Sequence, residues 1–552
     1  MKFPFALLTL CWGLMVATPL PSSATTPAEA GSVFKALVKA IGDRKVPPTF
    51  KIDPDGSGVA EYAPLYNQVT LSSKFLAFAD GFGENADAVL ALVLGHELAH
   101  VYENHNLRAT TAFAPQSRIK ADEDFARQSL EAEADYFAVY FAYMAGYKTE
   151  GLDEIFLRKL YAGFQIEESG HYPPLEKRVE IYRQAREEIG QLIQVFEAGN
   201  VLLLTGQPGM AAHCFEQVGT RFPGPEVWNN AGVSYLLAAM SLLPESSQAS
   251  LAAFPIGFEE EMLPPNPSTS KRQATLAPEE AAALRLKFLL LASESFDKAI
   301  LYGNQSNVAT LNLACTYLLL CQEEILEKTR QKWFDFQLAQ CLERVLFLSP
   351  DDSATTGNVQ VLKGIKAWLL KDEAAATQYF TDAATNYGNF LGEMNLNKLN
   401  SSSTSHFIEM PSTAFETLHG IALFLPSGRK TLENKVANAG SVAIQGMDFD
   451  LTIRRQTMAD GEAVLINSFQ QTLSETTTLY VLHAGTGYQG NSAEGIKPGD
   501  TEGQLTAKYG LPAMVLQSRC KRYWAYPKAG VIFCLTKGKV TEIFNFFVRY
   551  EE

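Results

Sequence analysis

The sequence predicts a multidomain, mostly α-helical protein that ends in a small α+β domain. Three observations support this: a histidine motif on a helix near residue 100, a helix-pair pattern repeating from 192 to 388, and alternating strand patterns after 395. A chain of 552 residues, 47% hydrophobic and 19% charged, can bury several cores. We expect four segments: a leader at 1–24, a domain around the histidine motif at 25–190, a repeat region at 191–394 and an accessory α+β domain at 395–552.

The first 24 residues have the layout of a cleavable secretory signal. Met1–Ala24 contains one lysine, an apolar run from Phe5 to Ala17, and then prolines and small residues. Cleavage after Ala24 and cleavage after Ala30 fit the small-residue rule equally well. No later stretch has the roughly 18 uninterrupted apolar residues that a spanning helix needs. We therefore expect an exported mature chain, periplasmic or secreted, without a transmembrane span.

Composition narrows the class of ligand. A net charge of −15 would repel the phosphates of nucleic acid, and no block of Lys and Arg suggests an anionic membrane surface. Unfolded protein or peptide is the expected substrate class. The cysteines are too sparse for a disulfide scaffold and are not spaced as a metal site. A bridge between Cys520 and Cys534, which flank predicted strands, stays open as an alternative to two reduced thiols.

The stretch Gly95–His105 reads G-H-E-L-A-H-V-Y-E-N-H and carries the histidine motif. His96 and His100 are four residues apart, so on a helix they share a face and can bind one metal ion through their imidazoles. Glu97 lies beside them and can take a proton from a metal-bound water, which is the chemistry of H-E-x-x-H zinc peptidases. His105 lies off the ligand face, and we expect it to be a surface histidine.

A second helical pattern supplies the third ligand. Glu131 and Asp135 share a face by the same four-residue spacing. We interpret Glu131 as the third metal ligand and Asp135 as the acceptor of a hydrogen bond from the outer nitrogen of a zinc histidine. The alternative is that Glu131, Glu133 and Asp135 form a solvated helix face. The apolar neighbours of these residues and the histidine motif just upstream favour the metal site.

H-E-x-x-H followed by E-x-x-x-D resembles the zinc metallopeptidase family of HtpX and the CAAX prenyl proteases, and most closely its soluble periplasmic, BepA-like members with tetratricopeptide repeats. The resemblance covers roughly Ala30 to Arg186. It implies a helical gluzincin-type domain, endopeptidase chemistry and one Zn²⁺ per chain. It also implies an edge strand that lies beside the zinc helix and pairs with the substrate backbone, for which Tyr66–Phe78 contains the candidate. The membrane helices of HtpX and the prenyl proteases are not predicted here.

The family also carries a histidine-proline segment whose histidine can reach the zinc site as a transition-state stabiliser or as a plug. Here Gly170–Arg178 reads G-H-Y-P-P-L-E-K-R, and counting back from Arg178 places Tyr172 at the histidine's position, with His171 one residue earlier. Either side chain can donate a hydrogen bond to the oxyanion of the tetrahedral intermediate. Which of the two faces the zinc stays open, as does a purely structural turn.

The repeat region predicts an α-solenoid of tetratricopeptide-like helix pairs, with a plain helical bundle as the alternative. Small residues let paired helices approach and an aromatic residue fills the gap. A Pro/Ser-rich insertion, Leu243–Pro278, delays the second helix of one unit. Such repeats are candidates for docking substrates or outer-membrane assembly partners. The positions that fit the pattern include Gly199, Ala211, Phe215, Pro223, Trp228, Gly232, Tyr235, Ala292, Phe296, Ala299, Ala314, Tyr317, Leu342, Val345, Pro350, Gly364, Ala376, Phe380 and Ala383.

After residue 395 the pattern changes to strands and offers no recognisable chemistry. A short helix is expected after a cap at Asp500 or Thr501, ending near Tyr509 and Gly510. The predicted strands are Leu451–Arg455, Ala463–Phe469, Thr477–His483, Tyr523–Thr536 and Val540–Val548.

These patterns lead us to expect an exported zinc metalloendopeptidase that hydrolyses misfolded or stalled envelope proteins. The alternative is a latent or inactive peptidase that acts mainly as a chaperone-like binding scaffold, with the His171 and Tyr172 segment as its plug. A processing protease with a single client is a third, less favoured reading.

Overall fold

A computed structural model describes most of the chain and shows a mostly helical protein with a C-terminal sheet. Its described residues contain sixteen α-helices and eleven strands. The predicted leader at 1–24 lies outside them. The described residues are 26–42, 45–105, 120–147, 149, 151–166, 173–244, 247, 252–257, 276–303, 307–400, 416–445, 449–470, 475–510, 512, 514–517 and 522–551.

The chain divides into two compact units. Unit 1 comprises the chain up to Ile41 together with Val46–Arg186, and unit 2 comprises Gly42–Lys45 and Glu187–Glu552. The repeat helices and the C-terminal strands, which the sequence suggested as separate domains, therefore belong to one unit. Within the described residues no helix is both long enough and apolar enough to cross a membrane.

Unit 1 combines a small sheet with packed helices. The sheet has the order β1-β3-β2, with β1 parallel and β2 antiparallel to the central strand β3. The elements of this part are α1 (Pro27–Ile41), β1 (Thr49–Asp53), β2 (Ala60–Ala63), β3 (Gln68–Ser72), α2 (Ser73–Asp80), α3 (Ala86–Tyr102), α4 (Lys120–Met144), α5 (Asp153–Phe164) and the start of α6 (Leu175–Leu204).

The strand predicted within Tyr66–Phe78 exists as β3, but it is the central strand of this sheet. The strand that lies at the edge and packs beside α3 is β2. The expectation of an edge strand in Tyr66–Phe78 was therefore wrong. Val69, Leu71 and Ser72 are buried, as is normal for a strand with neighbours on both sides.

Helix α3 is the buried centre of unit 1. It begins at Ala86, and its first half is apolar on every side except at the exposed Asp87. Gly95 marks the closest approach to α4, because a Cβ atom at this position would lie 3.1 Å from the carbonyl oxygen of Ala138. A side chain here would push α4 away. The glycine thus sets the spacing between the two helices that carry the histidine and acidic motifs.

Unit 2 begins with a row of paired helices. In three pairs a glycine of one helix faces a phenylalanine ring of the other, as the repeat pattern requires: Cβ atoms added there would come within 3.0 Å of the ring at Gly199, 2.6 Å at Gly232 and 2.5 Å at Gly364. The rings belong to Phe215, Phe296 and Phe380. The helices are α7 (Pro208–Arg221), α8 (Pro225–Met240), α9 (Pro278–Tyr302), α10 (Asn307–Leu320), α11 (Lys328–Leu348), α12 (Ser353–Leu369), α13 (Glu373–Tyr387) and α14 (Phe390–Asn400).

The region predicted as a Pro/Ser-rich insertion contains a piece of the core. Helix α9 does begin at Pro278, but residues 252–257 within the connection are all buried. Phe254 is completely buried and Ile256 is 3% exposed. The segment therefore packs against the helices and is not an exposed loop.

A large antiparallel sheet closes unit 2. Its strand order is β4-β5-β6-β7-β11-β10-β9-β8, and buried side chains cover both of its faces. The expected helix α16 is capped by Thr501, as predicted. The elements are α15 (Pro426–Val436), β4 (Ser441–Gln445), β5 (Phe449–Met458), β6 (Gly461–Gln470), β7 (Glu475–Ala484), α16 (Glu502–Tyr509), β8 (Met514–Gln517), β9 (Arg522–Tyr526), β10 (Val531–Thr536) and β11 (Lys539–Glu551).

The predicted strand Tyr523–Thr536 is in fact a hairpin. Strands β9 and β10 pair with each other across a turn in which the N–H of Ala529 donates to the carbonyl of Tyr526 and Gly530 has φ 65°. A glycine adopts this left-handed conformation without strain. The suggested Cys520–Cys534 bridge lies outside the described residues, because Cys520 does.

Candidate metal centre

Helices α3 and α4 bring three metal-type ligand atoms together. The Nε2 atoms of His96 and His100 are 3.2 Å apart. The carboxylate oxygens of Glu131 lie 3.2 Å from Nε2 of His96 and 3.6 Å from Nε2 of His100. Ligands at tetrahedral corners about 2.0–2.1 Å from a zinc ion would be separated by about 3.3 Å. The separations of the three side chains are therefore close to those of zinc ligands.

The outer nitrogen of His96 is held by a buried ion pair. Its Nδ1 lies 2.9 Å from Oδ1 of Asp135, which is completely buried. The Arg178 guanidinium donates from Nε to Oδ2 at 2.7 Å and from its terminal nitrogen to Oδ1 at 2.5 Å. If a metal ion binds Nε2 of His96, Nδ1 carries the remaining ring proton and donates it to Asp135. This is the contact predicted for Asp135, and binding of zinc by His96 stays a prediction.

The outer nitrogen of His100 has a different partner, His105. The two Nδ1 atoms are 3.0 Å apart, and Nε2 of His105 lies 3.8 Å from Glu133. His105 is only 2% exposed, so the expectation of a surface histidine was wrong. It also lies on the side of His100 away from Nε2, which is not the position of a metal ligand. Nδ1–H of His100 therefore donates to Nδ1 of His105, whose own proton lies on Nε2.

A backbone turn explains how His105 reaches His100. Helix α3 ends at Tyr102, and Asn104 then adopts the left-handed conformation with φ 58°. Asparagine is one of the few residues that tolerate this conformation at a helix end. The chain therefore folds back at Asn104. The prediction that His105 points to solvent assumed that the helix continues through His105, which it does not.

We expect His105→Leu to weaken zinc binding about 10- to 100-fold, the usual cost of losing a partner that orients a ligand. In His105→Asn the amide reaches the position of Nδ1, so affinity should stay within a few-fold of wild type. His105→Gln places its amide nearer the position of Nε2 and should not restore affinity. Competition with a chelating dye measures the zinc dissociation constant of each of the three variants and of the wild type. Equal affinity for the leucine variant and the wild type would contradict this role.

Glu97 lies next to the ligand atoms without being one of them. Burial raises its pKa to about 7, although the charge of His96 and a hydrogen bond from the backbone N–H of Tyr62 lower it. Tyr62 belongs to β2, so the edge strand contacts the carboxylate directly. Glu97 is thus a partly desolvated carboxylate with a proton affinity suited to exchanging protons near neutral pH.

The cluster attracts positive charge. Burial lowers the pKa of His96, but its hydrogen bonds to Asp135 and Glu131 outweigh this and raise the pKa to about 10. Burial and the neighbouring His96 lower the pKa of His100 to about 3. Burial raises the pKa of Asp135, yet the charge of Arg178 brings it down to about 2. Burial likewise raises the pKa of Glu131, but its hydrogen bond to His96 outweighs this and lowers the pKa. Asp135 and Glu131 therefore both stay ionised, which favours a divalent cation near them.

In comparisons with known proteins, no protein-family model matches the chain and no curated protein matches its sequence. The family resemblance therefore stays a prediction, and the site rests on its own geometry. Among the described residues, His96, His100 and Glu131 form the cluster whose ligand atoms all lie within 4.8 Å of one another.

The structure places most of the predicted site residues but not all. His171 and Tyr172 lie outside the described residues, so their predicted roles stay predictions. The residues that follow them are held in unit 1: the carbonyl of Pro173 accepts a hydrogen bond from Tyr161 at 3.0 Å, and Arg178 binds Asp135.

Unit 2 has a second group of charged side chains, which pair with one another. Arg455 on β5 contacts Glu197 on α6 and lies 2.6 Å from Glu462, while His483 lies 3.2 Å from Glu542. They line a cavity of about 150 Å³ between α6 and the sheet. The Arg455 contacts link the helix to the sheet. Among the described residues, this group contains no set of three metal-ligating atoms like the set in unit 1.

Proposed function

We propose that this protein is a zinc-dependent metalloendopeptidase. One observation carries the proposal: two imidazole nitrogens and a carboxylate lie at the mutual distances of tetrahedral zinc ligands, with Glu97 beside them. Three protein ligands leave a fourth position for water, which distinguishes a catalytic zinc site from a closed structural one.

In this proposal His96, His100 and Glu131 bind one Zn²⁺, which, when bound, lowers the pKa of water and polarises the scissile carbonyl. Glu97 accepts the proton of the attacking water and later donates it to the departing amine. Its raised pKa of about 7 favours both halves of this exchange. Asp135 and His105 hold the two imidazoles in the tautomer that presents Nε2 to the metal.

The edge strand β2 supports a peptide as the substrate. An extended chain can add to the open edge of a sheet through backbone hydrogen bonds, which hold it without requiring a particular sequence. The Tyr62 N–H that contacts Glu97 belongs to this strand. A peptide along β2 would therefore pass close to the general base, and unfolded protein is the form in which a backbone is accessible for such pairing.

The predicted signal sequence indicates the compartment in which the proposed peptidase would act. An exported peptidase that binds backbone would act on misfolded or stalled envelope proteins in the periplasm or outside the cell. The paired helices of unit 2 would serve to recruit these substrates or outer-membrane assembly partners.

Metal removal tests the proposal. The purified protein should contain about one zinc per chain by mass spectrometry and should cleave casein. Treatment with 1,10-phenanthroline should stop cleavage and added Zn²⁺ should restore it, whereas the non-chelating isomer 1,7-phenanthroline should have no effect. A protein that binds no zinc after incubation with the metal, or one that cleaves equally well after its removal, would exclude this mechanism.

A further inference from the structure

A short segment of the chain lies across the repeat helices and is held by asparagine side chains. The segment is Ala252–Gly257, with the sequence A-A-F-P-I-G. Asn229 on α8, Asn312 on α10 and Asn395 on α14 all contact it, and each of these side chains is at least 96% buried. We call the side of these helices that carries the three residues the asparagine face.

Two of the asparagines form paired hydrogen bonds with the backbone. Asn312 accepts from the N–H of Gly257 at 2.9 Å and donates to its carbonyl at 2.7 Å. Asn395 does the same at Ala253, at 2.7 and 2.9 Å. Asn229 adds a second donor to the Gly257 carbonyl at 3.2 Å and bonds to Asn312. All of these contacts use main-chain atoms, which every peptide has.

Between the two clamped residues, side chains provide apolar burial. Phe254 and Ile256 are buried, and a tight turn over Pro255 joins the Ile256 N–H to the Phe254 carbonyl at 2.9 Å. Full burial of two such side chains stabilises the attached segment through the hydrophobic effect. The segment thus combines backbone pairing with apolar anchors, which is how peptide-binding domains hold extended ligands.

The segment is not required to connect its helices. Helices α8 and α9 pack side by side, yet residues 241–277 join them. Much shorter links are enough for other neighbouring helices: residues 321–327 join α10 to α11, and residues 370–372 join α12 to α13. Long connections of this kind usually serve a purpose other than chain continuity.

We infer that the asparagine face is a binding site for a short apolar peptide with a tight turn, and that Ala252–Gly257 occupies it as an intramolecular ligand. A peptide with the same chemistry, two backbone amides four residues apart with an aromatic residue between them, competes with the segment for the three asparagines. The tethered segment has the advantage of a high effective concentration, so it keeps the face closed until a competitor is abundant or the segment is weakened. This inference does not depend on the metal centre.

The first test measures peptide binding. A fluorescein-labelled A-A-F-P-I-G peptide should bind the full-length wild type weakly, and should bind the Phe254→Gly/Ile256→Gly double variant at least 10-fold more tightly by fluorescence anisotropy. Adding Asn312→Ala to the double variant should remove binding, whereas Asn230→Ala, the same change at the residue next to Asn229, should not. No gain in the double variant, or binding that ignores Asn312, would overturn the inference.

The second test uses the unaltered protein, so it does not depend on whether the variants fold. Hydrogen exchange followed by mass spectrometry should show residues 252–257 exchanging at least 10-fold faster than α8 and α10, because the segment can leave while the helices stay folded. If the segment exchanges only as fast as these two helices, it is a permanent part of the core and the inference is wrong.

Discussion

Glu97→Gln should lower casein hydrolysis by about 10²- to 10⁴-fold, the range expected when a general base is lost. Glutamine has nearly the same shape as glutamate but cannot accept the proton of water. Zinc content should stay at the wild-type level, because Glu97 lies beside the three ligand side chains and is not one of them. Cleavage rates and metal content measured on the same preparations would separate a chemical defect from a loss of metal.

Asp87→Asn is the matched control for this variant. It removes the same charge from the same helix, but Asp87 is exposed in the first turn of α3, far along the helix from the histidines. We expect wild-type activity and zinc content. If Glu97→Gln retains zinc and cleaves casein as fast as this control, Glu97 is not the base.

Arg178→Met should strongly destabilise unit 1. Asp135 would keep its charge in a completely buried position with only His96 as a partner. Removing one member of a buried ion pair typically costs about 3–5 kcal/mol, which corresponds to a fall in melting temperature on the order of 10 °C for a domain of this size. Thermal unfolding followed by circular dichroism, with metal-free protein, measures the loss.

Two comparisons make the interpretation of this variant specific. Arg158 also pairs with carboxylates, those of Glu154 and Glu176, but at the surface, so Arg158→Met should change the melting temperature little. Combining Arg178→Met with Asp135→Asn should recover much of the lost stability, because no uncompensated charge then stays buried. An Arg178→Met protein as stable as the Arg158 variant would contradict the assigned role of the ion pair.

The shared face of His96 and His100 could be predicted from helical periodicity, whereas the approach of Glu131 also depends on the packing of α4 against α3. A four-residue spacing places the imidazoles on one face, and α3 and α4 are regular helices through these positions. That they bind zinc stays a prediction. Arg178 was noted in the sequence only as a reference point for a neighbouring segment. Its pairing with Asp135 depends on the packing of α6 against α4, which no local pattern encodes.

His105 shows where extrapolation from a motif fails. The position of a residue on a helix face has meaning only while the helix continues, and α3 ends three residues before His105. The asparagine before it was the available signal, since asparagine favours the left-handed turn that follows many helices. The short strand β2 was missed for a related reason: Ala60–Ala63 is too brief to show a period, and its place in the sheet depends on pairing with β3.

The burial of the Ala252–Gly257 segment was not predicted because of the residues around it in the sequence. Proline and serine dominate the connection around it and indicate an exposed loop, whereas the apolar run within it was the sign of burial. Its partners come from three helices, up to 142 positions away along the chain in the case of Asn395, so the sequence could not assign them. In the C-terminal sheet, the β9–β10 turn was missed although Pro527 and Gly530 are residues typical of a turn.

Asparagine carries no charge, and neither do the peptide groups that it binds. The attachment of Ala252–Gly257 should therefore be nearly indifferent to ionic strength and to acidification, since nothing in it is screened by salt or takes up a proton in the physiological range. The metal centre in unit 1 is built from histidines and carboxylates, so it will respond to ionic strength and to acidification. A change of pH or of salt concentration would thus act on the histidines and carboxylates of unit 1 and not on the attachment of this segment, and a titration would separate the two responses.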